Sequence, residues 1–223
     1  MEFAQRGVGT EGTVVITDNQ YGGRGQRGNL WVSEPGKNFT FSVLLKPALR
    51  ADRQFLLTQV VALAVADYVR SKAGHVKIKW PNDILVNDKK LCGVLIENSL
   101  VGSAIQVVIA GVGLNVNQAV FKDPKATSLK LITGKEYDLN QELELLLHCI
   151  EVRYLQLREG KVDQLNADYR NNLYRLGERH LFETAGEKFQ GLITGVDETG
   201  RLLVETGQGA RAFGLKEIRF ADA

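Results

Sequence analysis

Hydrophobic and polar positions repeat with the period of a helix in one part of the chain and with the period of a strand in others. Residues 53–72 carry apolar side chains at the spacing of a core helix, and Gly74 marks its end. Residues 39–45 alternate as a strand, and the segment 76–80 predicts a strand with Trp80 on its apolar face and lysines on the other. Shorter apolar runs predict further strands at residues 14–16, 84–86, 91–96 and 105–112.

The second half of the chain predicts one long helix, followed by a segment of short strands. Asp138 with Gln141 resembles a capping box, and the leucine-rich face that follows continues to near Gly160. After residue 176, three short strand patterns are separated by glycine-containing turns, which is typical of a small β barrel of about 45 residues. We therefore predict an α+β fold with two domains, residues 1–176 and residues 177–223.

Composition narrows the class of protein without deciding its function. The 223 residues are 44% hydrophobic and 24% charged, which is ordinary globular composition. The net charge of +2 predicts no binding to nucleic acid or membrane. Cys92 and Cys149 are too few for a disulfide framework and fit core thiols. With no signal peptide and no apolar stretch of the roughly 20 residues that a membrane span needs, the cytoplasm is the expected location.

Three stretches carry candidate chemistry. The run from Gly22 to Gly28 combines backbone N–H groups with arginines, which suits phosphate or carboxylate, although a solvated surface loop fits equally well. The segment 79–83 predicts a strand and a tight turn, and lysines follow at 89–90, where plain solvated turns are the alternative. In the segment 110–117, a strand ends in glycines that let a ligand approach the backbone closely, or that simply form a bend.

In this order and spacing, the three stretches resemble the biotin–protein ligase family. The family's glycine–arginine loop is matched by Gly23-Arg24-Gly25-Gln26-Arg27-Gly28, and its Lys-Trp-Pro-Asn-Asp motif is matched letter for letter by residues 79–83. Residues 90–97 and 111–115 match two further motifs, and the resemblance runs from about Gly9 to the C-terminus. Two departures stand out: Gln26 replaces a common arginine, and no Ser-Thr-Asn segment precedes Gln20.

The resemblance implies a fold like that of class II synthetases, a mixed sheet with helices, followed by an SH3-like barrel. It also implies a reaction in which ATP, assisted by Mg²⁺, converts biotin to biotinyl-5'-AMP, and a lysine of a biotin carboxyl carrier protein then takes the biotinyl group. Neither step needs a protein nucleophile, which agrees with the scattered positions of His75, His148 and His180. We predict no metal site built by the protein alone.

Site roles follow from the same resemblance. Lys90 and Arg24 are the predicted catalytic residues, with Lys90 reaching the carboxylate and phosphate oxygens. Trp31 is expected near the adenine or in the core, and Asn115 either bonds the ligand or caps its strand. The predicted ligand-binding set comprises Gln20, Gly23, Arg24, Gly25, Gln26, Arg27, Trp31, Asn82, Asp83, Lys90, Gly93, Gly113 and Asn115.

Several alternatives stay open at this point. A non-catalytic biotin or adenylate sensor and a lipoate or octanoate transfer enzyme are rival functions on this fold. A homodimer is left open, as are the identity of the carrier and the choice between Arg24 and Arg27 as the main phosphate contact. Residues 1–7 resemble the last turn of a helix, so we expect the natural reading frame to begin before Met1 and an extended chain to bind biotin more tightly.

Overall fold

A six-stranded sheet forms the larger part of the molecule. The structure is a computed structural model that describes residues 9–25 and 30–221. In chain order, the first eight strands of the described residues are β1 (Val14–Ile16), β2 (Gly23–Arg24), β3 (Leu30–Trp31), β4 (Phe39–Leu45), β5 (Val76–Lys79), β6 (Asp83–Val86), β7 (Lys89–Val101) and β8 (Ala104–Leu114). The sheet has the order β1-β4-β8-β7-β6-β5, and its ladders are antiparallel. Parallel pairing occurs in isolated bridges, such as Ile78 with Leu173.

Helices cover one face of this sheet. The described α-helices are α1 (Phe55–Ala73), α2 (Leu129–Thr133), α3 (Leu139–Arg158) and α4 (Val162–Asn172), and a 3-10 turn spans Ala51–Arg53. Helix α1 contacts β5, β6 and β7 on one side and α3 and α4 on the other. Its unbroken apolar stretch from Val60 to Ala66 is fully buried, because a helix enclosed on both sides needs apolar residues all round.

The ends of the two long helices agree with the sequence signals. Gly74 ends α1 in a left-handed conformation with φ 74°, which glycine adopts without strain. Asp138 begins α3, and its carboxylate accepts hydrogen bonds from the N–H groups of Asn140 at 2.9 Å and Gln141 at 3.4 Å. The predicted N-cap is thus confirmed, and the helix ends at Arg158.

A five-stranded antiparallel sheet forms the C-terminal part, with the order β12-β11-β10-β9-β13. Its strands are β9 (Arg179–Thr184), β10 (Glu187–Val196), β11 (Leu202–Thr206), β12 (Gly209–Phe213) and β13 (Arg219–Phe220). Three of them were predicted and β9 and β13 were missed. In β9 only Phe182 is buried, so polar side chains hide the alternation that marks a strand.

Two strand predictions are corrected by the structure. Strand β5 ends at Lys79, so Trp80 lies in the following turn and not on the apolar face of the strand. Its indole Nε1 donates a hydrogen bond to the backbone oxygen of Gly200 at 2.9 Å, which joins the turn to the C-terminal sheet. Strand β7 continues to Val101 instead of ending at Ile96, because β8 pairs with it from Cys92 to Val101. The predicted helix remnant at residues 1–7 lies outside the described residues.

Candidate functional site

A cavity of about 490 Å³ opens on the face of the large sheet opposite α1. Its floor includes one row of cross-strand partners, Thr40 on β4, Gly113 on β8, Gly93 on β7 and Asp83 on β6. Successive residues of a strand point to opposite faces, so these four share the face that looks away from the core. Two adjacent glycines in such a row leave the floor without side chains at its centre.

The indole of Trp31 lies on this glycine pair. A Cβ on Gly113 would stand 2.3 Å from Trp31 Cε2, and one on Gly93 would stand 3.4 Å from Trp31 Cζ3. The first distance is far below any real contact, so a residue other than glycine at 113 would force the ring to move. Within the described part of the chain, the buried Nε1 of Trp31 has no hydrogen-bond partner. A buried donor without a partner is costly and points to a ligand acceptor at this place.

Lys90 enters the cavity because the β6–β7 ladder is irregular. Ile84 pairs with Cys92 but Leu85 pairs with Lys90, so the register shifts by one residue at Leu91. A bulge of this kind redirects the side chains beyond it. Lys90 Nζ consequently reaches the Asp83 carboxylate at 2.7 Å.

Two contacts define the surroundings of Lys90. The ammonium stands 5.8 Å from the centre of the Trp31 ring, which is within cation–π range. The Lys90 backbone N–H donates to the backbone oxygen of Lys125 at 2.7 Å, and the backbone N–H of Thr127 donates to Lys90 O at 2.9 Å. The segment after β8 thus fixes the backbone of the lysine while its side chain faces the cavity.

The glycine–arginine stretch forms a hairpin at the mouth of the cavity. Gly23 pairs with Trp31 and Arg24 pairs with Leu30. A Cβ on Gly23 would stand 2.2 Å from the backbone oxygen of Trp31, so the hairpin requires glycine there. Arg24 is exposed and borders the cavity. Gln26, Arg27 and Gly28 are outside the described residues.

Asn82 holds the turn that presents Asp83. Its side-chain Nδ2 donates to the backbone oxygen of Val94, and the Val94 N–H donates to Asn82 O at 3.2 Å. Asn82 is only 7% exposed, so a residue without an amide would leave a buried backbone acceptor unpaired.

Most predicted site residues meet in this cavity. The structure brings together Gln20, Arg24, Gly25, Trp31, Asn82, Asp83, Lys90, Gly93 and Gly113 as its lining. Gly23 and Asn115 do not line it. The Asn115 amide donates to the backbone oxygen of Thr127 at 2.9 Å, which fixes the chain after β8, while its Oδ1 is buried without a partner within the described residues.

Sequence comparison identifies the family of this chain. The Biotin/lipoate A/B protein ligase family matches residues 8–115, and the Biotin protein ligase C terminal domain matches residues 176–219. A biotin–[acetyl-CoA-carboxylase] ligase of Paracoccus denitrificans is 31% identical over 92% of this chain and 89% of its own length. The chain belongs to the biotin protein ligase family. The predicted family is therefore confirmed.

Two further relatives extend this likeness. A protein of Bacillus spizizenii named bifunctional ligase/repressor BirA is 33% identical, and the match covers 95% of this chain but 66% of the relative. A solved structure of the biotin protein ligase from Aquifex aeolicus in complex with biotin and ATP has 28% identity and a TM-score of 0.79, covering 96% of this chain and 91% of that one. The predicted fold class, including the C-terminal SH3-like module, is confirmed by this similarity.

Sequence reasoning missed some of the residues that border the cavity of this biotin protein ligase family member. Thr40 and Ser42 of β4 and Glu97 of β7 are among its lining. Hydroxyl side chains at alternate positions of an otherwise apolar strand were a usable signal, because Thr40 and Ser42 face away from the core that Phe41 enters. Glu97 ends the motif that residues 90–97 match, and that match was the signal that could have identified it.

The remaining chemical groups lie away from this cavity. His75, His148 and His180 are absent from its lining. Cys92 is buried in the core and Cys149 is partly buried, and both are free thiols. Burial raises the pKa of each thiol above its ordinary value, so neither is prepared as a nucleophile. None of the described helices is long and apolar enough to cross a membrane.

Proposed function

We propose that this chain activates biotin with ATP and transfers the biotinyl group to a lysine of a biotin carboxyl carrier protein. The observation that carries the proposal is the setting of Lys90. A bulge directs this cation to the same face as two glycines and the indole N–H of Trp31, which has no hydrogen-bond partner among the described residues. The structure of the Aquifex aeolicus relative in complex with biotin and ATP adds support.

The reaction divides into two balanced steps. A carboxylate oxygen of biotin forms a bond to the α-phosphorus of ATP, and the bond from that phosphorus to the β-phosphate oxygen breaks, so pyrophosphate leaves. The neutral amine of the carrier lysine then attacks the acyl carbon, AMP leaves, and the amine loses its proton. Both steps develop negative charge on oxygen atoms. A fixed cation that stabilises this charge, together with the exclusion of water, therefore supplies most of the catalysis.

Each residue has a role that its position allows. Lys90 would neutralise charge on the carboxylate and α-phosphate oxygens after exchanging part of its contact with Asp83 for the ligand. Arg24, exposed at the hairpin, would neutralise phosphate charge, and Arg27 is proposed for the same role, with Gln26 as a further ligand-binding residue. Gly25 would let the adenylate lie against the backbone, Gly93 and Gly113 would seat the Trp31 indole beside it, and Gln20 would bond biotin.

Mg²⁺ fits as a cation that arrives with the nucleotide. Among residues 9–25 and 30–221, no three acidic, histidine or cysteine side chains converge on one point. Mg²⁺ commonly takes one or two carboxylates, phosphate oxygens and waters, so a single protein ligand suffices. Asp83 would be that ligand, and the ion would neutralise phosphate charge.

The partners and the location are part of the same proposal. We assign the carrier protein as the macromolecular partner and the cytoplasm as the location, which the free thiols favour. The residue ranges 1–176 and 177–223 remain our proposed domains, and nucleic acid is not proposed as a ligand. Biotin is assigned over lipoate because the Paracoccus denitrificans relative is named a biotin–[acetyl-CoA-carboxylase] ligase.

A transfer assay tests this function directly. The chain is incubated with biotin, ATP, Mg²⁺ and an apo biotin-carrier domain, and a streptavidin blot measures labelling of the carrier lysine. We expect labelling that requires ATP and is absent from a carrier whose acceptor lysine is replaced by arginine. Transfer of lipoate but not biotin would reverse the substrate assignment, and biotin binding without transfer would favour a sensor.

A further inference from the structure

Two buried side-chain amides lie outside the cavity that Trp31 and Lys90 line. Asn38, directly before β4, is 6% exposed, and Gln118, in the chain after β8, is 7% exposed. Neither residue lines that cavity or a second one of about 740 Å³, which lies between the turn after β5 and the C-terminal sheet. Burying an amide costs free energy unless its groups are hydrogen-bonded, so the partners of these two side chains show what they hold in place.

The two amides bond to each other and to the chain on either side. Asn38 Nδ2 donates to Gln118 Oε1 at 2.6 Å and to Ser33 Oγ at 3.0 Å. The same Gln118 oxygen accepts a hydrogen bond from the backbone N–H of Glu34 at 3.1 Å. On the other side, the backbone N–H of Val116 donates to Asn38 Oδ1 at 2.9 Å. The chain after β3 is thus joined to the chain after β8 through these two side chains.

Each of the joined segments carries a buried polar atom that has no partner among residues 9–25 and 30–221. Trp31, with its unpaired Nε1, lies two positions before Ser33, and Asn115, with its unpaired Oδ1, directly precedes Val116. Of the three such atoms in the described residues, two therefore flank the amide pair. Groups that receive a ligand must be held in place before the ligand arrives, and the amide pair provides that support.

The strand that carries Trp31 is short. Within the part of the chain that the structure describes, β3 has two residues, and its ladder consists of the pairs Gly23 with Trp31 and Arg24 with Leu30. A hairpin of this length is at best marginally stable by itself. The indole lies on a glycine pair that has no side chains to restrain it. The hydrogen bonds of the chain after β3 therefore decide where the ring lies.

We propose that Asn38 and Gln118 are positioning residues, which hold the Trp31 indole at the place where it meets the adenylate. The kinetic part of this inference rests on the proposed function, in which the adenylate lies beside that ring. Lys90 is held independently, through its salt bridge to Asp83. Loss of the amide pair should therefore weaken substrate binding more than it slows the chemical step.

The position of Trp31 can be measured by NMR without any ligand. The chain has two tryptophans, Trp31 and Trp80, so a sample labelled with isotopic tryptophan gives two indole N–H signals, which Trp80→Phe assigns. The Trp80 signal is the internal reference, because its N–H is bonded to the C-terminal part of the chain. Gln118→Met and Asn38→Leu each remove one amide and keep a side chain of similar size. Ser33→Ala removes a single bond and serves as the milder variant should Asn38→Leu not fold.

Asn117→Leu is the matched control. Asn117 lies next to Gln118 and is equally buried, at 7% exposure. Its amide bonds to both backbone groups of Tyr137, at 2.8 Å and 3.0 Å, and thus to the chain before α3 instead of the chain after β3. The substitution should therefore lower the stability as the other amide variants do, and it should leave the tryptophan ring in place.

We expect the Trp31 signal to shift or broaden in Gln118→Met and Asn38→Leu, and less so in the milder variant, while the Trp80 signal stays unchanged. In biotinyl-adenylate formation, the KM for ATP should rise by about threefold to tenfold in these variants, the equivalent of one hydrogen bond between uncharged groups. The kcat should stay within about twofold of the wild-type value. Asn117→Leu should keep the wild-type Trp31 signal and the wild-type KM.

The outcomes separate this inference from the proposed function. If the wild type forms biotinyl-adenylate but the amide variants keep the wild-type Trp31 signal, the positioning role is wrong and the function stands, whatever happens to the KM. An equal change in Asn117→Leu also overturns the role, since it would show a general loss of structure. If the wild type forms no adenylate, the proposed function fails, and the Trp31 signal still decides whether the two amides position the ring.

Discussion

Gly113 lies on the floor of the cavity that Lys90 and Trp31 line, here called the ligand cavity, and Gly191 lies in the C-terminal sheet. Both are glycines inside strands, and neither has room for a Cβ. A Cβ on Gly113 would stand 2.3 Å from Trp31 Cε2, and one on Gly191 would stand 2.5 Å from Val204 Cγ1. Val204 and Phe182, the neighbours of Gly191, are buried in the core. Trp31, the neighbour of Gly113, is partly exposed on a two-residue strand, and its indole N–H has no partner in residues 9–25 and 30–221.

The comparison shows that a missing side chain has two different uses. At Gly191 the space is filled permanently by core groups, so the glycine serves packing and therefore stability. At Gly113 the space is filled by a ring that leaves a hydrogen-bonding group unsatisfied, so the glycine serves a surface that is complete only with a ligand. Variants in the two regions should therefore separate activity from stability.

The largest effect should come from Lys90, which lines the same cavity as Gly113. Lys90→Ala should lower the rate of biotinyl-adenylate formation by about 10²–10³-fold, the usual cost of removing one charge-stabilising donor. Single-turnover measurement of adenylate gives the rate. The melting temperature should change little, because the Lys90 side chain is 38% exposed. Lys89→Ala, at an exposed neighbour, is the control, and an unchanged rate in Lys90→Ala would assign the role elsewhere.

Gly113→Ala should weaken binding of biotin with ATP by about tenfold to a hundredfold, because the methyl group displaces the indole from the floor and strains the hairpin. Calorimetric titration measures the affinity, and thermal unfolding shows whether stability is retained. Gly111→Ala is the matched variant on the same strand, since its Cβ would meet Leu95 O at an ordinary 3.5 Å. Equal effects of the two substitutions would contradict the account of the glycine pair.

Gly191→Ala should give the opposite result. Its methyl group enters a packed core, so the free energy of unfolding should fall by about 1–3 kcal/mol. The adenylation rate per folded molecule should remain at the wild-type value, since Gly191 belongs to neither cavity lining. Urea unfolding measures the loss. A variant with wild-type stability and reduced activity would reverse the distinction between the two glycines.

The smallest effect concerns Glu11. Its carboxylate binds the segment before β1 to Tyr154 and to the backbone N–H of Lys46. A hydrogen bond from the Tyr154 hydroxyl lowers the pKa of Glu11, burial opposes this, and the Lys46 backbone N–H and Arg158 lower it further. A lowered folded-state pKa gives stability that is present above the unfolded value, about 4.3, and that is lost as pH falls through the folded value.

Glu11→Gln should therefore lower the free energy of unfolding at pH 7 by no more than about 1 kcal/mol, because the Glu11 side chain is 36% exposed and its charge is screened by solvent. At pH 3 the difference from wild type should be smaller. Denaturant unfolding at both pH values is the measurement, and an equal difference at pH 7 and pH 3 would mean that the contact is not electrostatic.

Much of the fold could be predicted because the signals are local. The apolar run of α1, its closing Gly74 and the Asp138 cap depend on residues a few positions apart, and the motif order indicated the family. Strand β9 was missed because its side chains are largely polar, although it forms a hairpin with β10, and β13 was missed because it has two residues and pairs with β9, which is far away in the sequence.

The geometry of the site could be predicted only in part. Lys90, Asp83 and the two glycines were named from motifs, but the bulge that turns Lys90 toward Asp83 depends on the register between two strands. The indole of Trp31 meets Gly113 although 82 positions separate them, and no spacing rule predicts that contact. Asn115 bonds to Thr127, a partner that becomes evident only when the chain after β8 is seen to fold back.

The hydrogen bond between Trp80 and Gly200 has a consequence for how this chain could be recombined with others. The turn that carries Asn82 and Asp83 is held from outside by the C-terminal sheet, and Tyr169 holds it from within by donating its hydroxyl to the oxygen of Pro81 at 2.7 Å. The C-terminal module is therefore not an interchangeable appendage. A chimera that exchanges it must preserve a backbone carbonyl at the position of Gly200. Otherwise the turn that carries Asn82 and Asp83 will lose this hydrogen bond, and the exchange will alter the catalytic site as well.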